Sequence, residues 1–158
     1  MIRQNHTADL QTVPALQHLE LSVLEALSRI ARVYQLKPQD VILHQGDIMH
    51  SFYIVQKAGV RLVEYTSDGQ GVALKIYGPG DLFGLLAISG GYPHPAQIEA
   101  IQDSVVFAVD GQDTRRLIQS CPDVGLLIID LLTAHVHEAH NRLRHMAVER
   151  VDRRLARA

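Results

Sequence analysis

The residues of this chain with chemistry to offer are nine histidines, one cysteine and one glycine-rich turn. The turn, Gly78-Pro79-Gly80-Asp81-Leu82-Phe83-Gly84, runs straight into the apolar Leu85-Leu86-Ala87. A tight turn entering a short helix presents backbone N–H groups, which suit an anion. His135, His137, His140 and His145 crowd a single helical stretch, whereas His44 and His50 flank the turn Gln45-Gly46-Asp47. Histidine is both a metal ligand and, with an ordinary pKa near 6.5, a proton switch. His94, His135 and His140 are the candidates for a metal, but a polar helix face and hydrogen-bonded core positions account for such residues equally well. The lone Cys121 forms no internal disulfide and cannot by itself hold an iron–sulfur cluster or a zinc finger. No Ser-His-Asp or paired-carboxylate arrangement is evident. The His135-x-His137 spacing falls in a helix rather than a strand, which argues against a cupin-like metalloenzyme. No catalytic residue is expected, and the chain reads as a non-enzyme.

Those residues sit on elements with clear punctuation. Val13 to Ile30 has helical spacing, with Ser22 and Glu25 as a capping box, after a polar and loose segment 1–12. From Arg32 the period changes to short β-rich runs: 33–36, 41–43, 51–55, 60–65, 72–77, 97–101 and 105–109. Lys37-Pro38, Gln45-Gly46-Asp47, Ala58-Gly59, Asp68-Gly69 and Gln102-Asp103 separate them, and Asp68-Gly69 is the best hairpin signal. Seven or eight strands with few helices between them predict a mainly β fold, a jelly roll or double-stranded β-helix. Asp113 to Ser120 reads as a short helix, and Pro122 opens a long one running to about Arg150. Ile129, Leu132, Val136, Ala139, Leu143 and Met146 alternate by three and four along it, as a coiled-coil seam does. The expectation is a parallel homodimer. His135 and His140 flank that seam, so that protonation below about pH 6.5 would set charge against charge and weaken the pair.

Composition bounds the partners. Apolar residues make up 47% of the 158 and charged residues 20%, and the formal net charge is −2. Such a chain has no basic field for nucleic acid, and with no tryptophan it is poor at stacking bases. No apolar run approaches the ~20 residues of a membrane span, and the first residues lack a signal core, so a cytoplasmic protein is expected.

The order of these motifs resembles the CRP/FNR family of bacterial transcription regulators. The resemblance rests on Val41-Ile42-Leu43-His44-Gln45-Gly46-Asp47, Phe52-Tyr53-Ile54-Val55, Val60-Arg61-Leu62, Gly78 to Gly84, Glu99-Ala100, Val151 and Arg154-Leu155-Ala156. It implies a cyclic-nucleotide-binding-like β-roll sensor over 1–120, a dimerisation helix over 121–150, and over 151–158 a hinge and the start of a helix-turn-helix domain lying outside this sequence. DNA would be a partner through that domain. Arg150, Arg153, Arg154 and Arg157 read as a solvated face. One departure is visible: the family's turn glycine falls on Ala58, with Gly59 one place late.

The resemblance also defines a ligand pocket of Gly84, Leu85, Leu86, Ala87, His94, Pro95, Ala96, Ala139 and His140. In cyclic-nucleotide-binding members a Glu follows Phe-Gly and holds the ribose, and a later Arg-Ser-Ala holds the phosphate. Here Leu85 stands for the Glu, His94 for the Arg and Pro95 for the Ser, while Ala96 is kept. The Thr-Ser pair that reads the base falls on Ala139 and His140. These changes predict that cyclic AMP is not bound in the usual way. An apolar or aromatic effector, haem held by His94 or His140, or a filled pocket without effector are the alternatives, the last making the chain a scaffold.

Overall fold

The computed structural model describes residues 6–157. These fall into two compact units that part between Val124 and Gly125. The first opens with α1 (Thr7–Gln11), a 3-10 turn (Pro14–Leu16) and α2 (Leu21–Ile30). Eight strands follow: β1 (Ala31–Leu36), β2 (Val41–Leu43), β3 (Ser51–Lys57), β4 (Val60–Tyr65), β5 (Gly71–Tyr77), β6 (Leu82–Phe83), β7 (Gln97–Ala100) and β8 (Ser104–Asp110). A 3-10 helix (Leu85–Ser89) lies between β6 and β7, and α3 (Gly111–Ser120) follows β8. The last element, α4 (Pro122–Ala156), carries the second unit.

The strands form two antiparallel sheets, β1-β8-β3-β6 and β2-β7-β4-β5, as a jelly roll requires. Between them lies a core of Leu43, Met49, Val55, Val60, Tyr77, Phe83, Ala87, Ile98 and Val106. β8 is a continuous apolar run, buried at Val106, Phe107, Ala108 and Val109. Unbroken burial of this kind needs cover on both faces. α2 and α3 supply it on the outer side, where the His6 ring lies 5.5 Å from that of Phe107.

Three turns share one design. In Lys37–Asp40, His44–Asp47 and Gly78–Asp81 the aspartate N–H donates to the carbonyl three residues back. Its carboxylate accepts the N–H of that same first residue, at 2.7, 2.9 and 2.8 Å. The third residue has positive φ: Gln39 at 71°, Gly46 at 88° and Gly80 at 89°. That is a type II turn locked by an aspartate. The sheets thus change direction at sites marked by x-x-Gly-Asp or x-Pro-Gln-Asp.

Several expectations need correction. The stretch from Val13 to Ile30 is not one helix: Pro14 leads a 3-10 turn and α2 begins only at Leu21. Its N-cap is Glu20, which makes no side-chain cap, so Ser22 and Glu25 form no capping box. Thr7–Gln11 is helical rather than loose, because Leu10 is buried; residues 1–5 lie outside the described residues. The two-residue β6 escaped notice because Leu82-Phe83 is too short to show a period. α4 continues to Ala156, past the expected end near Arg150.

Ala58 has a φ of 63°, so an alanine occupies a left-handed position. The following Gly59 is fixed for another reason: a Cβ there would sit 3.0 Å from the Tyr77 carbonyl oxygen. The left-handed region costs a residue with a side chain about 1–2 kcal/mol. Glycine gives back roughly 0.5–1 kcal/mol of that through its freer unfolded state. Ala58→Gly and Gln39→Gly should each therefore raise stability, by about 0.5–1 kcal/mol. Urea denaturation with an unchanged m-value checks this.

Candidate functional site

The glycine-rich turn and the loop after it are built on one stretch of backbone, residues 46–55. On one side the Gly78–Asp81 turn pairs with β3: Val55 N–H donates to Asp81 O at 2.9 Å, and Gly80 N–H to Val55 O at 2.8 Å. β6 then lies on Tyr53 and Ile54 and delivers Gly84 with a φ of 80° as the cap of the 3-10 helix. A Cβ on Gly84 would stand 3.2 Å from Ser51 O and 3.6 Å from Met49 Sδ. On the other side the loop returns over the same stretch. Ile48 bridges to Pro93, Gly46 N–H donates to His94 O at 2.8 Å, and His94 N–H donates to Asp47 O at 2.8 Å.

His94 is 8% exposed, and its Nδ1 pairs with the Ala96 carbonyl oxygen. The backbone bonds fasten this loop to the Gln45-Gly46-Asp47 turn, while the ring closes on the loop's own Ala96. Leu85, Ala87 and Ala96 are buried, whereas Leu86 is 50% exposed, and Tyr92 and Pro95 are also exposed. The structure therefore brings Gly84, Leu85, Ala87, His94 and Ala96 onto one bed and turns Leu86 and Pro95 outward. Ala139 and His140 lie on α4 in the second unit, both exposed. Among the described residues no group of three or more His, Cys, Asp or Glu side chains is placed to hold a metal ion.

The 3-10 helix is also pinned from behind. Gly111, the first residue of α3, packs so close that a Cβ would lie 2.3 Å from Ala87 O. Gly111 N–H donates to His50 O at 2.8 Å, and Arg115 Nη1 donates to Ile88 O at 3.1 Å. Asp110 caps α3 by accepting the N–H groups of Gln112 and Asp113, both at 2.9 Å. Sequence reading passed over Gly111. Its signal was a glycine between a capping aspartate and a helix, where an ordinary residue would serve unless space forbids it.

A second missed feature is the polar cluster on β4 and β7. Ile98 enters the core, so Gln97 and Glu99 face the other way. Glu99, 5% exposed, accepts from Arg61 Nε at 2.7 Å and Nη2 at 2.5 Å, from Tyr65 Oη at 3.1 Å and from Gln97 Nε2 at 2.8 Å. Burial works to raise its pKa, but hydrogen bonds from Arg61, Gln97 and Tyr65 and the Arg61 charge outweigh it and leave the carboxyl below its ordinary value. The signal was two opposite charges at Arg61 and Glu99 in strands that pair in register. On β5 a half-buried cation, Lys75, stands with Nζ 4.9 Å over the Tyr77 ring.

A model of the cyclic nucleotide-binding domain matches residues 33–121. The chain belongs to that family. A cyclic AMP receptor protein from Thermus thermophilus is 32% identical over 117 residues, covering 74% of this chain and 54% of that protein. Among solved structures, the catabolite activator protein of Thermus thermophilus superposes with a TM-score of 0.72 at 27% identity, over 85% of this chain and 63% of that one. The sensor domain of the transcriptional regulator DNR from Pseudomonas aeruginosa has a TM-score of 0.70 at 20% identity, over 86% and 91%, and shows the shared fold. The chain thus spans about half the length of the Thermus receptor protein. Its fold and relatives are those of CRP-type regulator sensor domains. None of its described helices is long and apolar enough to cross a membrane.

The Glu99 cluster gives the domain an acid limb. A carboxyl held lower in the folded chain than its ordinary value of 4.5 contributes stability that is complete above that value. The contribution is lost as pH falls from 4.5 through the folded pKa. Thermal unfolding between pH 7 and 3 should show this loss, and Glu99→Gln should flatten the slope in that window while lowering stability at pH 7.

Proposed function

We propose that this chain is the sensing and dimerising part of a cytoplasmic CRP/FNR-type transcription regulator whose nucleotide loop no longer holds cyclic AMP. The observation that carries this is the state of His94. It occupies the place of the family's phosphate-binding arginine, yet it is buried, and both its amide and its Nδ1 are spent on the Asp47 and Ala96 carbonyls. Leu85, in the place of the ribose-binding glutamate, is buried and accepts no hydrogen bond. Pro95, in the place of the serine, has neither hydroxyl nor N–H. A phosphate entering here would shed its water with no arginine fork to replace it, a loss of several kcal/mol.

The second part of the proposal concerns α4. Ile129, Leu132, Val136, Ala139, Leu143 and Met146 are exposed along the helix, Leu143 to 63%. Large apolar side chains repeating by three and four in water suit a second copy of the same helix, packed in parallel. DNA contact belongs to a helix-turn-helix segment that is not among these 158 residues.

Calorimetry with cyclic AMP should show no saturable heat up to about 1 mM, a loss of at least several kcal/mol against a micromolar binder. Micromolar binding would overturn the reading of the loop. Sedimentation should show a dimer at tens of micromolar, and Leu143→Glu should yield a monomer with an unchanged β spectrum. A monomeric parent chain would overturn the reading of the helix.

A further inference from the structure

Away from the Gly84 loop, the roll holds a cavity of about 170 Å³ lined by Tyr34, Leu36, Val41, Ile42, Tyr53 and Val106. It lies where β1, β3 and β8 of one sheet face β2 of the other. Four of the six walls are aliphatic and two are phenols. The phenols are neighbours: burial, and then the charge of an ionised Tyr34, push the Tyr53 hydroxyl up from its ordinary pKa. Tyr53 is only partly buried and Tyr34 is exposed, so the tyrosine end is the wet end.

Size narrows the occupant. Pockets for drug-sized molecules measure roughly 300–1,000 Å³, whereas an apolar cavity near 150 Å³ holds benzene. A nucleotide or a haem is therefore too large. A single six-membered ring fits the aliphatic wall, and one hydroxyl on it meets the two tyrosines.

We infer that this cavity is a binding site for a small monohydroxylated aromatic molecule, a simple phenol, with its ring against Leu36, Val41, Ile42 and Val106 and its hydroxyl toward Tyr34 and Tyr53. The site adjoins the family motif. Tyr53 stacks on Phe83, with ring centres 5.0 Å apart and planes 13° apart, and Phe83 immediately precedes Gly84. Phe83 in turn meets Tyr77 at 5.1 Å. The inference stands independently of whether the Gly84 loop binds cyclic AMP.

The test is a heteronuclear NMR titration of the whole chain with p-cresol, and with toluene as the probe lacking a hydroxyl. Saturable shifts clustered on the six lining residues are expected, with a dissociation constant for p-cresol below about 1 mM and at least threefold weaker binding of toluene. Val41→Phe, at a half-buried wall position, should weaken p-cresol binding at least tenfold, and Leu36→Phe serves as a second filled variant should the first unfold. No saturable shift up to about 5 mM, shifts centred elsewhere, or equal affinity in a folded filled variant would overturn the site. Equal affinity for toluene would overturn the role given to the tyrosines.

Discussion

The structure around the Gly84 loop depends on a pair of backbone hydrogen bonds, Gly46 N–H to His94 O and His94 N–H to Asp47 O, each 2.8 Å long. They tie two segments nearly fifty residues apart, and neither could be paired by local structure alone. Each bond is worth only about 1 kcal/mol net, but leaving the amide and carbonyl of buried His94 unpaired would cost more than that for each group. The Gln45-Gly46-Asp47 turn and the loop after Gly84 are thus two halves of one object. A sequence in which both occur together is physically coherent, because each is the other's hydrogen-bond partner.

This dependence limits what position 94 can hold. A histidine can be buried at modest cost when its ring finds a carbonyl, whereas a buried guanidinium demands an anion or several acceptors. Leu85, Ala87 and Ala96 are buried as well, so the loop turns little but apolar surface inward. The same reasoning applies in reverse at Glu99, where a buried charge is retained. There four donors from three side chains converge on one carboxylate, so the desolvation penalty is met within the protein.

The strands, the turns and the long helix were legible in the sequence because each carries a local signature. Val60 to Tyr65 and Gly71 to Tyr77 flank Asp68-Gly69, and they do form a hairpin in which Gly69 N–H donates to Thr66 O. The break after Val13 was not legible, because Leu16, Leu19 and Leu21 keep a helical period while Pro14 and the burial of Leu16 favour a 3-10 turn. Gly111, the Glu99 cluster and the cavity beside Tyr53 were not legible either. Each depends on residues that sheet pairing or helix packing brings together, such as Arg61 with Glu99 or Gly111 with Ala87, and spacing along the chain says nothing of that. Leu86 shows the limit from the other side. Its apolarity placed it in the pocket, but the pitch of a 3-10 helix that buries Leu85 and Ala87 leaves the residue between them facing out.

The two units rest on different physics. The roll closes its own core, and its edges are tied by turns whose aspartate carboxylates accept the N–H of the turn's first residue. α4 has no such closure. Its ion pair, Arg142 with Glu138 at 2.6 Å, is a surface contact worth a few tenths of a kcal/mol. A helix stabilised so weakly from within, and carrying a row of exposed leucine, isoleucine and valine, has more to gain from burying that row than from its ion pair. If each seam side chain contributes about 1.5–3 kcal/mol when fully buried, half burial of the five large ones exceeds what any set of surface ion pairs supplies. The roll can therefore be read as a folded object in one chain. In the reading proposed above, the exposed row of α4 is the surface on which a second copy lies.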